Sequence, residues 1–241
     1  MKPLRKVRVL DLTNVLAGPF CCHQLAHMGA EVIKVEAPGS GDLARQLGAD
    51  AALNRSLMGV SFLAQNPGKR SIAVDFKNAR GKEVFRRLVK SADVLVENFR
   101  PGVMNRLGLG FEALKTDNPR LVYCAISGFG QDGPLRDLPA YDQIIQGMAG
   151  VMSVTGDRAS APLRVGYPVA DTIGGITAAF AIAAVLAERE RADACFNGVR
   201  PPLPSRRSAR GVCSRWSTTQ RGLERSRAAL RPLRAVLSVK S

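Results

Sequence analysis

An aspartate flanked by small residues is the first group in the chain whose surroundings suit chemistry. Asp171 follows Val169-Ala170 and precedes the run Thr172-Ile173-Gly174-Gly175. Small neighbours let a bulky group approach the carboxylate closely. The residues alone leave two roles open for this side chain: an N-cap that stabilises the start of a helix, or a nucleophile that attacks an electrophilic carbon.

Two other patterns in the chain are weaker. His23 and His27 are four residues apart, a spacing that can place two metal ligands on one helix face. The pattern HExxH would require Glu where the chain has Gln24, and no third ligand is evident, so no metal is expected. The Gly-rich loops 39–42 and 128–130 fit neither GxGxxG nor GxxxxGK[ST], which favours turns over phosphate-binding loops.

Alternating strand and helix patterns must position these groups. Short β-branched runs alternate with segments of helical apolar spacing. The alternation predicts an α/β fold, a parallel sheet with helices on both faces. The predicted strands are 7–12, 31–36, 71–76, 93–97 and 121–127, and the predicted helices are 20–28, 79–91, 141–148 and 171–190.

The last of these helices differs from the others in composition. Residues 171–190 are apolar nearly all round, which predicts a long buried helix. The most apolar stretch, 173–187, is short for a bilayer and begins close to Asp171, so a membrane span is not expected. The N-terminal residues run directly into a strand pattern without the apolar region of a targeting segment.

Composition and charge narrow the class of protein. The 241 residues are 46% hydrophobic and 23% charged, which is typical of a soluble globular protein. The five cysteines lack CxxC spacing, which favours a reduced cytoplasmic protein over a disulfide scaffold. Residues 1–191 carry a net charge of +6 and residues 192–241 carry +9. The mildly basic body suits an acidic small-molecule ligand, and the basic tail has no nucleic-acid recognition motif.

Six long segments stand out by their order and spacing along the chain. The segments are VLDLTNVLAGPFCCHQLAHMGAEVIKVEAPGSGD (9–42), KRSIAVDFK (69–77), DVLVENFRPGVMNRLGLG (93–110), SGFGQDGP (127–134), YDQIIQGMAGVMSVTG (141–156) and VADTIGGITAA (169–179). Together they resemble the class III CoA-transferases of the CaiB/BaiF family, and the similarity covers about residues 7–191. That family includes formyl-CoA, carnitine and dicarboxylate CoA-transferases and the related 2-methylacyl-CoA racemases.

The resemblance implies a Rossmann-like sheet and transfer of CoA from an acyl-CoA to a carboxylic acid, here a dicarboxylic one. Asp171 matches the family's nucleophile, which forms a mixed anhydride and then an aspartyl-CoA thioester. We expect backbone N–H groups of Val15–Ala17 and of a Gly174-Gly175 turn to stabilise the oxyanions. The resemblance implies CoA contacts, including phosphate contacts by Lys77 and Arg106, for Asn14, Val15, Leu16, Ala17, Val74, Lys77, Asn98, Phe99, Arg106 and Tyr141.

Several positions depart from particular members of the family. Asn14 and Leu16 stand where the formate and oxalate enzymes carry His and Gln, which disfavours formyl or oxalyl specificity. The racemases place His directly before the Asp of the Tyr141-Asp142 pair. Tyrosine, with a reference pKa near ~10, is a poor base at neutral pH, so transfer is favoured over the alternative of racemisation.

The similarity breaks off after residues 188–191. We interpret residues 1–191 as the N-terminal part of the family's large domain and residues 192–241 as a basic, irregular Arg/Pro/Ser-rich tail. The abrupt change suggests a frameshifted or truncated gene product. The family resemblance implies a homodimer, which loss of the second half would disfavour. A non-catalytic CoA-binding remnant is therefore a further alternative, and no nucleic-acid or membrane partner is expected.

Overall fold

Five parallel strands form the centre of the structure, a computed structural model that describes residues 2–196 and 236–240. All five predicted strands are confirmed, with ends that differ by up to three residues. A sixth strand pairs antiparallel with the fifth. The strands are β1 (Arg8–Asp11), β2 (Glu31–Glu36), β3 (Arg70–Ala73), β4 (Val94–Glu97), β5 (Val122–Ser127) and β6 (Val236–Lys240), in the spatial order β3-β2-β1-β4-β5-β6.

Helices join these strands and cover the sheet. The four predicted helices are confirmed, with shifted ends. Four shorter helices were not predicted, because their segments have no clear periodic pattern of apolar residues. The helices are α1 (Ala17–His27), α2 (Ala51–Arg55), α3 (Val60–Gln65), α4 (Ala79–Val89), α5 (Val103–Arg106), α6 (Phe111–Asp117), α7 (Asp142–Met148) and α8 (Val169–Phe196), with 3-10 turns at Leu43–Gln46 and Met152–Val154.

Alternate residues of each strand pack into two hydrophobic cores on opposite faces of the sheet. Val9 and Val94 point to the face covered by α1 and α8, whereas Leu10 and Leu95 point to the face covered by α4 and α6. All four of these side chains are fully buried. Burial on both faces explains why the strands are runs of apolar residues rather than alternating apolar and polar ones.

Helix α8 confirms the predicted long helix but is buried on one side only. Ala178, Ile182 and neighbouring residues pack in the core, whereas Ile176 is 53% exposed and Phe180 is 76% exposed. An apolar composition therefore predicted more burial than the described residues provide. The segment 169–191 also has the length and composition of a membrane span, which is weak evidence because one side of the helix packs in the core.

The predicted irregular tail is wrong at both of its described ends. Residues 192–196 continue α8, and residues 236–240 form β6, where the sequence showed only a weak helical pattern. The segment Val-Leu-Ser-Val-Lys is rich in β-branched residues, and the edge of β5 offers unpaired backbone groups for such a segment. Residues 197–235 lie outside the described part of the chain.

The strand order determines where a ligand can bind. The chain proceeds from β1 outward through β2 to β3, then returns to the other side of β1 for β4 and β5. The loops that leave β1 and β4 therefore diverge in opposite directions and leave a crevice at the carboxyl ends of these strands. This crevice lies between the loop after Asp11 and the loop after Glu97.

Candidate active site

Two asparagines join the loops that border the crevice. The backbone N–H of Asn14 donates to Oδ1 of Asn98 at 2.8 Å, and Nδ2 of Asn98 donates to the carbonyl oxygen of Asn14 at 2.8 Å. The fold thus brings together two residues that are 84 positions apart and were both predicted to contact CoA. The side chain of Asn98 uses its oxygen and one of its two N–H donors on the other loop.

A cavity beside this pair contains three of the predicted contact residues. Asn98, Phe99 and Tyr141 line it together with Arg100 and Arg136. It lies at the carboxyl ends of β4 and β5, next to the crevice. The sequence analysis missed both arginines, although Arg100 belongs to the quoted segment NFRPG and adds a cation to the cavity.

Asp171 lies in the first turn of α8 but is not its N-cap. The helix begins at Val169, so Asp171 is the third helical residue. The carboxylate of Asp142 instead accepts hydrogen bonds from the backbone N–H groups of Ala170, at 2.8 Å, and of Asp171, at 3.3 Å. The N-cap interpretation is therefore wrong, because a side chain from α7 satisfies this helix terminus and leaves the Asp171 carboxylate for another role.

Asp142 is itself held by a buried glutamine one turn later in α7. Nε2 of Gln146 donates to the Asp142 carboxylate, and Oε1 of Gln146 accepts from the backbone N–H of Val165 at 2.8 Å. Asp142 is 6% exposed and Gln146 is fully buried. The sequence analysis did not identify this pair, although the i,i+4 spacing in YDQIIQ is a signal for it.

The environment of Asp171 raises the pKa of its carboxyl group to about 6. Burial is the larger cause, and the negative charge of Asp142 is the second. Both disfavour the ionised form. At neutral pH the side chain is still mostly ionised, but it is less hydrated than a surface carboxylate. Such a group combines negative charge with a reduced hydration shell, as a carboxylate nucleophile requires.

Gly175 brings the Asp171 end of α8 against the start of α1. A Cβ atom at Gly175 would lie 2.5 Å from the carbonyl oxygen of Ala17, so only glycine permits this approach. Asp171 precedes Gly175 by four residues and shares its helix face. The carboxylate thus lies on the side of α8 that faces α1. Gly174 has open space around its Cβ position, in agreement with access for a bulky group.

The prediction of a Gly174-Gly175 turn with free N–H donors is wrong. Both glycines are inside α8, where backbone N–H groups bond to carbonyls one turn earlier. The loop after β1 keeps candidate donors, because α1 begins at Ala17 and the first N–H groups of a helix have no intrahelical partner. The N–H of Val15 is already used, since it donates to Oδ1 of Asp42 at 3.0 Å.

Buried ion pairs lie beneath this loop. Nζ of Lys34 lies 2.9 Å from Oδ2 of Asp42 and donates to the carbonyl oxygen of Thr13 at 2.8 Å, and Nζ of Lys69 lies 2.8 Å from Oδ2 of Asp11. Burial alone would raise the pKa of Asp11, but Lys34 and Lys69 hold that pKa below its usual value. Sequence reasoning missed all of these charges, because Lys69 and Asp11 come from distant segments and the loop after β2 must fold back to bring Asp42 to Lys34.

Comparison with known proteins identifies the family of this chain. The model described as CoA-transferase family III matches residues 4–195. The chain belongs to CoA-transferase family III. It is 46% identical over 187 residues to a succinate–glutarate CoA-transferase of Agrobacterium fabrum, covering 76% of this chain and 47% of the relative. It is 46% identical over 190 residues to an acetyl-CoA:oxalate CoA-transferase of Acetobacter aceti, covering 78% and 48%.

A solved structure extends the comparison to three dimensions. A CaiB/BaiF family protein from Brucella suis is 34% identical and superposes with a TM-score of 0.73, covering 95% of this chain and 60% of that one. The resemblance stated from the sequence segments is thereby confirmed. The chain spans about half the length of the curated relatives that it matches.

The remaining predicted contacts of this family III chain have different surroundings. Lys77 and Arg106 are exposed, after β3 and at the end of α5, as cations that meet phosphates would be. Val74 is only 6% exposed and packs in the core, and its N–H donates to the carbonyl oxygen of Glu36 at 2.8 Å. Val74 could therefore contact CoA only through its backbone. The roles of all three residues remain predictions.

The two histidines of this family III chain contact each other. Nε2 of His23 and Nε2 of His27 are 2.9 Å apart, and the rings meet edge to face. Within residues 2–196 and 236–240, no group of three or more His, Cys, Asp or Glu side chains is arranged to hold a metal ion. A hydrogen bond between one N–H and one ring nitrogen accounts for the pair.

Proposed function

We propose that this chain carries the nucleophile and the CoA-binding loops of a CoA-transferase that moves CoA from an acyl-CoA to a carboxylic acid. The observation that carries the proposal is the half-buried Asp171 carboxylate, with its pKa at about 6, in the first turn of α8 and one turn before Gly175, which packs against the start of α1. The relatives named above act on succinate and glutarate or on oxalate. We therefore propose a dicarboxylic acid as acceptor.

The proposed reaction has four steps at one carboxylate. An Asp171 oxygen attacks the thioester carbon, the C–S bond breaks, and a mixed anhydride and CoA thiolate result. The thiolate attacks the aspartyl carbonyl, which releases the donor acid and leaves an aspartyl-CoA thioester. The acceptor carboxylate attacks that thioester, giving a new anhydride and CoA thiolate. The thiolate then attacks the acceptor's acyl carbon, which forms the new acyl-CoA and restores the carboxylate.

Other residues hold the reacting groups in place. Asp142 and Gln146 fix the first turn of α8 and with it the backbone of Asp171. Each step forms an oxyanion, and N–H donors at its position lower the barrier. We assign that role to the N–H groups of Leu16 and Ala17 at the start of α1, where the helix dipole also favours negative charge.

The setting of the reaction is part of the same proposal. Acyl-CoA and dicarboxylate substrates are soluble metabolites, so we propose a cytoplasmic protein. The family resemblance implies a homodimer, and the apolar residues exposed on α8 provide a surface that a second chain would cover. Sedimentation velocity over a range of protein concentrations tests this part independently of catalysis.

Covalent labelling of Asp171 tests the reaction. The protein is incubated with succinyl-CoA and hydroxylamine, which converts an activated aspartyl group into a hydroxamate, and the modified peptide is identified by mass spectrometry. We expect the hydroxamate at Asp171, none in Asp171→Asn, and full labelling in Asp157→Asn, which changes an exposed aspartate. CoA binding without any adduct would contradict the transferase and indicate a non-catalytic CoA-binding protein.

A second measurement separates transfer from racemisation. A racemase removes and returns the proton at the 2-position of its acyl group, so the reaction in D₂O would introduce deuterium there. The exposed Tyr141, in the position where a racemase has histidine, supports the expectation that no deuterium enters. Deuterium in the recovered acyl-CoA would favour the racemase instead.

A further inference from the structure

Val15 has a backbone conformation that residues with side chains rarely adopt. Its φ angle is +69°, in the left-handed region, and valine is β-branched. Val15 belongs to the loop of residues 14–17, the last part of the connection from β1, which ends at the first residue of α1. A conformation of this kind persists only where the surroundings hold it, and such positions cluster at functional sites. The contacts of this loop show what holds it.

Asn98 holds the residue before Val15. Its amide accepts from the N–H of Asn14 and donates to the carbonyl oxygen of Asn14, both at 2.8 Å. The turn that presents Asn98 is fixed in its own way, because the carboxyl group of Glu97 accepts from the N–H of Phe99 at 2.8 Å. Asn98 therefore ties the loop after β1 to the end of β4 through two hydrogen bonds.

Asp42 holds Val15 itself. Its Oδ1 accepts from the N–H of Val15 at 3.0 Å and from the N–H of Ala44 at 2.9 Å, and its Oδ2 pairs with Lys34 at 2.9 Å. Lys34 also donates to the carbonyl oxygen of Thr13 at 2.8 Å, so the same cation holds the loop one residue earlier. Asp42 and Lys34 are each 1% exposed, which keeps water from competing for these bonds.

We propose that Asn98 and Asp42 are positioning residues that hold the loop of residues 14–17 in its left-handed conformation. The N–H groups of Leu16 and Ala17 thereby face the thioester end of bound CoA. The inference rests on the proposed function, since it concerns the same site. It gives Asn98 a role that acts through the loop, in addition to the CoA contact that the resemblance implies. When either residue is removed, Val15 can return to an ordinary φ angle and turn these N–H groups away.

Affinity for CoA tests the role of Asn98. In isothermal titration calorimetry with the full chain and CoA itself, Asn98→Ala is expected to bind about tenfold more weakly, because two hydrogen bonds that hold the loop are lost. Asn118→Ala is the matched control: the Asn118 side chain also makes hydrogen bonds to the backbone, donating to the carbonyls of Val89 and Ala92, but at the other end of the sheet. We expect it to lower stability and leave CoA affinity unchanged.

A rescue experiment separates positioning from general damage. Glycine adopts positive φ readily, so Val15→Gly lets the loop keep its conformation without being held. The double variant Asn98→Ala/Val15→Gly should bind CoA more tightly than the sum of the two single effects predicts. Additive effects, or equal affinity of wild type and Asn98→Ala, would overturn the proposal.

Hydrogen exchange distinguishes this proposal from the proposed function. Mass spectrometry of peptides covering residues 12–20 should show faster exchange in Asn98→Ala than in wild type or Asn118→Ala, whether or not CoA is present. If wild type does not bind CoA but exchange is still faster in Asn98→Ala, the CoA-binding function is contradicted. The conclusion that Asn98 holds the loop would then remain. CoA binding by wild type with unchanged exchange in Asn98→Ala would reject the positioning role alone.

Discussion

Asp142 connects the folding of α8 with the chemistry of Asp171. Its carboxylate accepts hydrogen bonds from the backbone N–H groups of Ala170 and Asp171, and its charge contributes to the raised pKa of the Asp171 carboxyl group. A neutral cap would satisfy the same N–H groups without that charge. The negative charge of Asp142 therefore affects the protonation of the proposed nucleophile as well as the helix terminus.

The pH dependence of CoA transfer tests this connection. As the proposed nucleophile, Asp171 attacks only when ionised, so the initial rate of CoA transfer by wild type should fall to half near pH 6 as the pH is lowered. Asp142→Asn removes a neighbouring negative charge, which lowers the pKa of Asp171 and moves the midpoint to lower pH. Asp157→Asn, an exposed substitution, should leave the midpoint in place. A midpoint that stays fixed or rises in Asp142→Asn would contradict the assignment.

At the scale of elements, two adjacent glycines in α8 have opposite structural roles. Gly175 lies against the backbone of α1, where an added Cβ would meet the Ala17 carbonyl oxygen at 2.5 Å. Gly174 has nothing within 4 Å of its Cβ position. One glycine is therefore required for the packing of two helices, and the other leaves space beside the site.

Single alanine substitutions distinguish the two glycines. Gly175→Ala should lower the free energy of unfolding by ~1–3 kcal/mol, because α8 must move away from α1. Gly174→Ala should raise it by ~0.5–1 kcal/mol, since alanine favours a helix interior and meets no neighbour. Urea denaturation followed by circular dichroism measures both. Equal effects of the two substitutions would contradict the close approach of α8 to α1.

Gly175→Ala should also reduce labelling of Asp171 by hydroxylamine more than Gly174→Ala does. The displaced part of α8 carries Asp171, the proposed nucleophile, four residues before the substitution. The comparison is made without urea and at the pH of maximal labelling, where both variants are folded. Labelling that is unaffected in a destabilised Gly175→Ala variant would indicate that the approach serves stability alone.

Across the whole molecule, local patterns predicted the elements and distant contacts determined the site. The run Val-Ile-Lys-Val in β2 has the β-branched character that predicts a strand, and Lys34 within it gave no sign of its partner. That partner, Asp42, comes from the following loop, and Asn14 meets Asn98 across 84 residues. Such contacts follow from the strand order and cannot be read from local spacing. The exposure of Phe180 on α8 was missed because it depends on which elements pack against the helix, and the composition of the helix does not show that.

A buried carboxyl group at the end of β4 makes the stability of the whole molecule depend on pH. Glu97 is 5% exposed, and burial raises the pKa of its carboxyl group from 4.5 to about 7, despite bonds from the Phe99 N–H and the Tyr123 hydroxyl. Between these pH values the unfolded chain releases the Glu97 proton while the folded chain keeps it. The contribution of Glu97 to the free energy of unfolding is therefore present below pH 4.5 and lost as the pH rises to 7.

Replacing Glu97 with its neutral isostere should remove this dependence. Glu97→Gln does not ionise, so its free energy of unfolding relative to wild type should increase from pH 4.5 to pH 7.5, by up to about 3 kcal/mol. Urea denaturation of both proteins at the two pH values measures the change, and Glu83→Gln, on the exposed side of α4, is the control that should show none. A difference between Glu97→Gln and wild type that is the same at both pH values would mean that Glu97 ionises normally in the folded protein.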